Sequence, residues 1–164
     1  MPRSTHSVRP AATDGDGPCD AHSVQSNSEF YFVYPGDLDT RTGGYTYDKR
    51  LIEELGLLGL RINPVSLPQC SPAMSQGARL MVQEKLVAIP EGSVVVMDGL
   101  ALGVLDRETT EVRQRLRLVA LCHHPLALES GLSSAEQSQL FESERLALAN
   151  VHATLVTSDS TRRI

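Results

Sequence analysis

Residues 30–59 read FYFVYPGDLDTRTGGYTYDKRLIEELGLLG, and this stretch decides the fold that the sequence predicts. It opens on the apolar run FYFVY, which is typical of a buried strand. A loop of glycine, proline and small polar residues follows and ends at Gly43-Gly44. A strand followed at once by a helix is the first half of a βαβ unit. The predicted apolar face of this helix comprises Tyr47, Leu51, Leu55 and Leu58, with Ile52 beside them.

The rest of the chain repeats this alternation. Further strands are predicted at residues 60–67, 94–97, 116–122 and 154–157, and three further helical patterns lie between them. The fourth helix follows Ser133-Ser134, either of which can cap it. Alternating strands and helices predict an α/β domain with a doubly wound, mainly parallel sheet of five strands and helices on both faces. The predicted inward residues of these helices are Ala78, Val82 and Leu86; Leu102, Leu105, Thr109, Val112 and Leu116; and Leu140, Phe141, Ala147, Leu148 and Val151.

Composition bounds the class of protein. The 164 residues, 41% of them hydrophobic, suffice for one domain, and a net charge of −5 argues against a nucleic-acid surface. The chain has no apolar run of transmembrane length and no signal-peptide pattern. Its three cysteines lie far apart, which favours a reduced, cytoplasmic protein. Residues 1–28 almost lack large apolar side chains and predict a disordered tail, so the domain is assigned to residues 29–164.

The loop that ends at Gly43 and Gly44 suits a phosphate. Ligands of such sheets bind beyond the carboxyl ends of the strands, and a helix N-terminus offers free N–H groups and partial positive charge. Two glycines there allow close approach of a ligand to the backbone. The alternative is that they only turn the chain and pack helix on strand. The spacing matches neither G-x-G-x-x-G nor a P-loop, so a plain dinucleotide or ATP site is not predicted.

A second loop carries the run HHP directly after the strand LRLVALC. Successive side chains of extended chain point to opposite faces, so only one of His123 and His124 can face a cleft, and a metal site at the pair is not predicted. Pro125 disfavours helical geometry at His124. We predict that His124 is the functional histidine. His123 is predicted with equal weight as a packed side chain or as a functional one.

Four segments together resemble the N-terminal half of a bacterial retaining glycosyltransferase, of the group similar to sucrose and mannosyl transferases. They are YPGDLDTRTGGYTYDKRLIEELGLLGLRI (34–62), VVVMDGLALG (94–103), LVALCHHPLALESGL (118–132) and LVTSDSTRRI (155–164). That family has two facing Rossmann-like domains, known as the GT-B fold. The resemblance runs from about Phe30 to the last residue.

The resemblance implies roles for the residues that match. The loop of Gly43 and Gly44 would lie against the pyrophosphate of a nucleotide-sugar donor. His124, or less well His123, would be the catalytic cleft histidine that hydrogen-bonds the transferred sugar. The loops after Tyr34 and Asp98 would shape the pocket of a hydroxyl acceptor, although Asp98 is as well explained by a turn with Gly99. No cofactor and no metal are implied.

The resemblance ends at Ile164, before the family's second domain, which holds most of the nucleotide contacts. We therefore expect this chain alone, without that C-terminal donor-binding domain, to be inactive. The competing hypothesis is a non-catalytic α/β ligand-binding or interaction domain. A flavodoxin-type redox domain is a poorer third, because aromatic residues make up only 4% of the chain and leave few candidates to sandwich a flavin.

Overall fold

Five short apolar runs form five parallel strands in the computed structural model, which describes residues 30–163. The predicted α/β fold with a doubly wound parallel sheet is confirmed, and the strands lie within two residues of their predicted bounds. The predicted tail at residues 1–28 lies outside the described residues. The strands are β1 (Phe30–Pro35), β2 (Ile62–Leu67), β3 (Val94–Asp98), β4 (Arg117–Cys122) and β5 (Ala153–Val156).

Helices follow the strands, and most of them begin at a polar cap that the sequence offers. Thr42 caps α1 by accepting a hydrogen bond from the N–H of Tyr45, and Ser75 caps α2 in the same way. Ser133 and Glu136 form a capping box at the start of α5. The helices are α1 (Gly43–Leu57), α2 (Gln76–Val87), α3 (Gly99–Leu102), α4 (Asp106–Val112) and α5 (Ser134–Leu148), with 3-10 turns at Leu126–Leu128 and Thr161–Arg163.

The strand order β2-β1-β3-β4-β5 fixes where a ligand would sit. The chain moves to one side of β1 to form β2 and to the other side to form β3, β4 and β5. With right-handed crossovers, α1 covers one face of the sheet, and α2, α4 and α5 cover the other. The contacts of α4 with α2 and α5 agree with this arrangement. The order reverses between β1 and β3, where ligands of doubly wound sheets bind.

The inward face of α1 differs from the predicted one. Tyr47 is 45% exposed and Leu58 is 78% exposed, whereas Tyr45 and Asp48 are buried. The inward stripe therefore begins at Tyr45 and Asp48, to one side of the predicted stripe. The sequence did not reveal this stripe, because it contains Asp48 and polar side chains are normally assigned to the solvent face.

The inward face of α5 differs for the same reason. Leu140 and Ala147 are buried as predicted, but Phe141 is 57% exposed and Glu144 is buried. An acidic residue again occupies the inward stripe. Phe141, an apolar residue of the same helix that was predicted to face inward, is exposed to solvent instead.

The third helical pattern is two helices rather than one. α3 ends at Gly103, and Leu105 has φ −115° and ψ 38°, which is not helical. The inward residues were nevertheless predicted correctly, since Leu102, Leu105 and Thr109 are all buried. The turn between α3 and α4 keeps the apolar stripe facing the sheet while it breaks the hydrogen-bond ladder.

Candidate functional site

Three elements that are distant in sequence meet at the carboxyl ends of β1, β3 and β4. α1 begins in the loop that follows β1, Asp98 is the last residue of β3, and His123 is the first residue after β4. Since β1, β3 and β4 are adjacent and parallel, their carboxyl ends lie at one edge of the sheet. This edge includes the point where the strand order reverses. We name Asp48, Asp98 and His123 the switch-point cluster.

His123 is held by an aspartate of α1. Its Nε2 atom lies 2.9 Å from Oδ1 of Asp48, whose side chain is fully buried. The ring of Tyr47 meets the imidazole edge-on, with 5.2 Å between the ring centroids. The hydroxyl of Thr161 donates a hydrogen bond to the backbone carbonyl of His123. The imidazole therefore has a fixed position, while its side chain remains 21% exposed.

Asp98 has both a structural and an electrostatic role. Its Oδ1 atom accepts a hydrogen bond of 2.6 Å from the N–H of Leu100 and so caps α3, which agrees with the predicted turn at Gly99. Its Oδ2 atom lies 3.8 Å from Nε2 of His123. This second oxygen faces the cluster, and Asp98 is fully buried.

Two carboxyl oxygens of the cluster receive no hydrogen bond from any other group of residues 30–163. They are Oδ2 of Asp48 and Oδ2 of Asp98, and both are buried. Burial raises the pKa of the Asp98 carboxyl to about 8, and both a hydrogen bond shared with Asp48 and the negative charge of that carboxylate act in the same direction. The hydrogen bond from Asp48 raises the pKa of His123, and burial opposes that shift. At neutral pH the Asp98 carboxyl is therefore mainly protonated, and the cluster keeps two buried carboxyl oxygens that receive no hydrogen bond from any other group of residues 30–163.

Gly43 and Gly44 form the first turn of α1, as predicted for a helix N-terminus. Neither has a positive φ, so neither is required by the backbone conformation. A Cβ atom on Gly43 would meet no atom of residues 30–163 within 4 Å, and one on Gly44 would lie 3.6 Å from Cδ2 of His123, an ordinary contact. The packing of the described chain therefore does not demand a glycine at either position.

His124 lies outside the cluster. Its side chain is exposed. Its charge acts on Glu144 of α5 and lowers the pKa of that carboxyl. Burial is the larger effect there and raises that pKa. The two adjacent histidines thus lie in different environments, as the alternation of side chains predicts. The residue near Gly44 is His123. The catalytic role predicted for His124 stays a prediction.

The residue that sequence reasoning missed is Asp48. It lies three positions after Tyr45 on the same face of α1, and that spacing was the available signal. Asp48, Asp98 and His123 each offer one ligand atom, and these atoms all lie within 4.8 Å of one another. Among residues 30–163 this is the group of side chains that could hold a metal ion.

In comparisons with known proteins, no family model and no curated protein matches this chain. The glycosyltransferase resemblance therefore stays a proposal. Within residues 30–163, every helix is too short or too polar to cross a membrane.

Proposed function

We propose that this domain is the N-terminal, acceptor-side half of a retaining glycosyltransferase that moves a sugar from a nucleotide-sugar donor to a hydroxyl acceptor. One observation carries the proposal. His123, fixed by Asp48, lies beside Gly44 in the first turn of α1, at the point where the strand order reverses. A diphosphate at the start of α1 and a sugar at His123 would then be bound side by side.

The chemistry follows from what each group can do. During transfer the acceptor oxygen bonds to the anomeric carbon, the bond from that carbon to the diphosphate breaks, and the hydroxyl proton leaves with the diphosphate. Negative charge grows on the departing diphosphate. The free N–H groups at the start of α1 are already oriented to stabilise that charge, and a preorganised donor needs no rearrangement during the reaction.

His123 is assigned to the transferred sugar in this scheme. Asp48 occupies Nε2, so the Nδ1 nitrogen is left to contact a sugar hydroxyl. Asp48 acts as a positioning residue, because it orients the imidazole through that hydrogen bond. His124, the residue preferred on sequence grounds, is exposed and has no comparable support, and the proposal therefore moves the role to its neighbour.

The test uses the full gene product and measures the release of nucleoside diphosphate from UDP-glucose and GDP-mannose in the presence of a panel of sugar acceptors. We expect transfer with at least one pair. His123→Ala should lower kcat by roughly 100-fold, as the loss of one transition-state hydrogen bond does in other enzymes. His124→Ala is the matched control and should leave kcat near the wild-type value.

Other outcomes decide against the proposal. Saturable binding of a nucleotide sugar without turnover on any acceptor would favour a non-catalytic ligand-binding domain. Loss of activity in His124→Ala alone would return the role to His124. Absence of both binding and turnover would remove the glycosyltransferase assignment.

A further inference from the structure

We propose that the switch-point cluster binds one divalent metal ion through Asp48, Asp98 and His123. The proposal rests on two carboxylates that are fully buried and that each keep an oxygen without a hydrogen-bond partner. It does not depend on the proposed sugar transfer, since it concerns only ion binding by these side chains.

The need for a positive charge is the first step. Asp48 and Asp98 are both removed from water, and among residues 30–163 no lysine or arginine forms an ion pair with either. Within that part of the chain, His123 is the ion-pair partner of both. Two ionised carboxylates side by side away from water are costly unless a proton or a cation compensates the charge. A divalent cation compensates both at once.

The distances are the second step. Nε2 of His123 lies 2.9 Å from Asp48 Oδ1 and 3.8 Å from Asp98 Oδ2. Metal–ligand bonds of about 2.0–2.2 Å separate two ligand atoms by roughly 3–4.4 Å. One ligand atom of each side chain lies within 4.8 Å of the others, and an ion bound at Nε2 would replace the hydrogen bond of that nitrogen to Asp48. Asp98 is held in place through its other oxygen by the N–H of Leu100, the kind of support that orients a metal ligand.

The ligand set indicates the class of ion. Carboxylates suit Mg²⁺, Ca²⁺ and Mn²⁺, whereas imidazole suits Zn²⁺ and neighbouring transition metals. Two carboxylates with one imidazole therefore favour a borderline ion such as Mn²⁺ or Zn²⁺. Three protein ligands leave coordination positions open toward the exposed side of His123, where water or a phosphate oxygen could bind.

The experiment titrates Mn²⁺ into the 164-residue chain after dialysis against EDTA and follows free Mn²⁺ by its electron paramagnetic resonance signal. We expect one saturable site, displaced by Zn²⁺, and a rise in Tm with either ion because the ion binds the folded state. Asp98→Asn should weaken Mn²⁺ binding by about 10-fold or more. The amide oxygen of the new side chain can still cap Leu100, so this variant should stay folded.

Two further variants keep the test decisive. His123→Gln should weaken binding to a similar degree while leaving both carboxylates in place. Glu129→Gln removes an exposed carboxylate and should bind Mn²⁺ as the wild type does. Equal binding by wild type, Asp98→Asn and His123→Gln would reveal adventitious surface binding. No saturable binding in the wild type would mean that a shared proton, rather than a metal ion, joins Asp48 and Asp98. Either result overturns the proposal.

Discussion

The carboxyl end of β4 has two flanks, and each buries acid side chains in a different way. On the α5 flank, Glu144 accepts a hydrogen bond of 3.0 Å from the N–H of Leu126, and none of its oxygens is both buried and unpartnered. On the α1 flank, Asp48 and Asp98 each keep a buried oxygen without a partner. The Glu144 carboxyl already has a hydrogen-bond donor, whereas the unpartnered oxygens of Asp48 and Asp98 could still bind a ligand.

Space is divided unevenly on the α5 flank, which is tight at Gly103 but also holds a cavity of about 310 Å³ whose lining includes Glu144, Cys122 and Pro125. Leu126 on the α5 flank packs so closely against Gly103 that a Cβ there would lie 2.5 Å from its Cδ1 atom. A Cβ on Gly44, on the α1 flank, would meet only the edge of His123 at an ordinary distance. The flanks therefore differ in the hydrogen bonding of their buried carboxyls rather than in free space. Glu144 accepts a hydrogen bond from a backbone N–H, whereas Asp48 and Asp98 each keep an oxygen that no other donor of residues 30–163 reaches.

The largest effect on stability is expected at Gly103. Gly103→Ala should destabilise the domain by about 1–3 kcal/mol, because its Cβ would collide with Leu126 and approach the carbonyl oxygen of Gly99 at 3.2 Å. Thermal and urea unfolding measure the change. Leu126→Ala removes one colliding side chain, so the double variant should be less destabilised than the sum of the two single variants. If the free-energy changes of the two single variants add up exactly in the double variant, Leu126 is not tightly packed against Gly103.

A smaller effect is expected from the charge of Glu144. Burial raises its pKa, so the neutral form is favoured in the folded state. The stability that this provides is complete below the ordinary pKa of glutamate and is lost as pH rises through the folded-state value. Cys122 and His124 are the titratable residues that interact electrostatically with Glu144. Glu144→Gln keeps an acceptor for Leu126 and should gain stability over the wild type, by a few degrees in Tm, between acid and neutral pH.

Glu136 is the matched control for that titration. The hydrogen bonds from Ser133 hold the pKa of this exposed carboxyl below its usual range. Its stabilising effect is therefore present above the ordinary pKa of glutamate and lost as pH falls. Glu136→Gln should lose stability at neutral pH and match the wild type in acid, the opposite trend to Glu144→Gln. The same trend in both variants would contradict the assigned environments.

The sequence predicted the fold because the fold depends on periodicity. Apolar runs bounded by turn residues marked all five strands, and the serine cap marked the start of α5. Alternation of strands with helices then implied a parallel sheet without knowledge of any long-range contact. The break between α3 and α4 was missed because both helices present the same apolar stripe.

The candidate site was predicted only in part, because it depends on contacts between residues far apart in the chain. Gly44 was singled out, His124 was preferred over His123, and the contact of His123 with Asp48 and Asp98 follows from strand order, which periodicity does not supply. Asp48 was missed because a buried acid interrupts the apolar stripe of α1. The burial of Glu144 on α5 was missed for the same reason. A polar residue at an inward helical position is thus the signal worth seeking in such sequences.

The smallest expected effect on stability concerns Gly44. Its position in the first turn of α1 has room for a methyl group, and alanine favours helix over glycine by up to about 1 kcal/mol. Gly44→Ala should therefore leave Tm unchanged or slightly raised, and calorimetric unfolding measures this. Gly56→Ala, in the last turn of the same helix, where the position is exposed and has open space around it, is the control for helix propensity alone.

Binding separates these two glycines. If the backbone of Gly44 must approach a phosphate, Gly44→Ala should weaken donor binding by the full gene product, whereas Gly56→Ala should leave it unchanged. A clear loss of stability in Gly44→Ala would mean that this glycine serves helix packing after all. Unchanged stability with unchanged donor affinity would leave the α1 flank open but not used by phosphate, and the diphosphate would then have to bind elsewhere along the sheet edge.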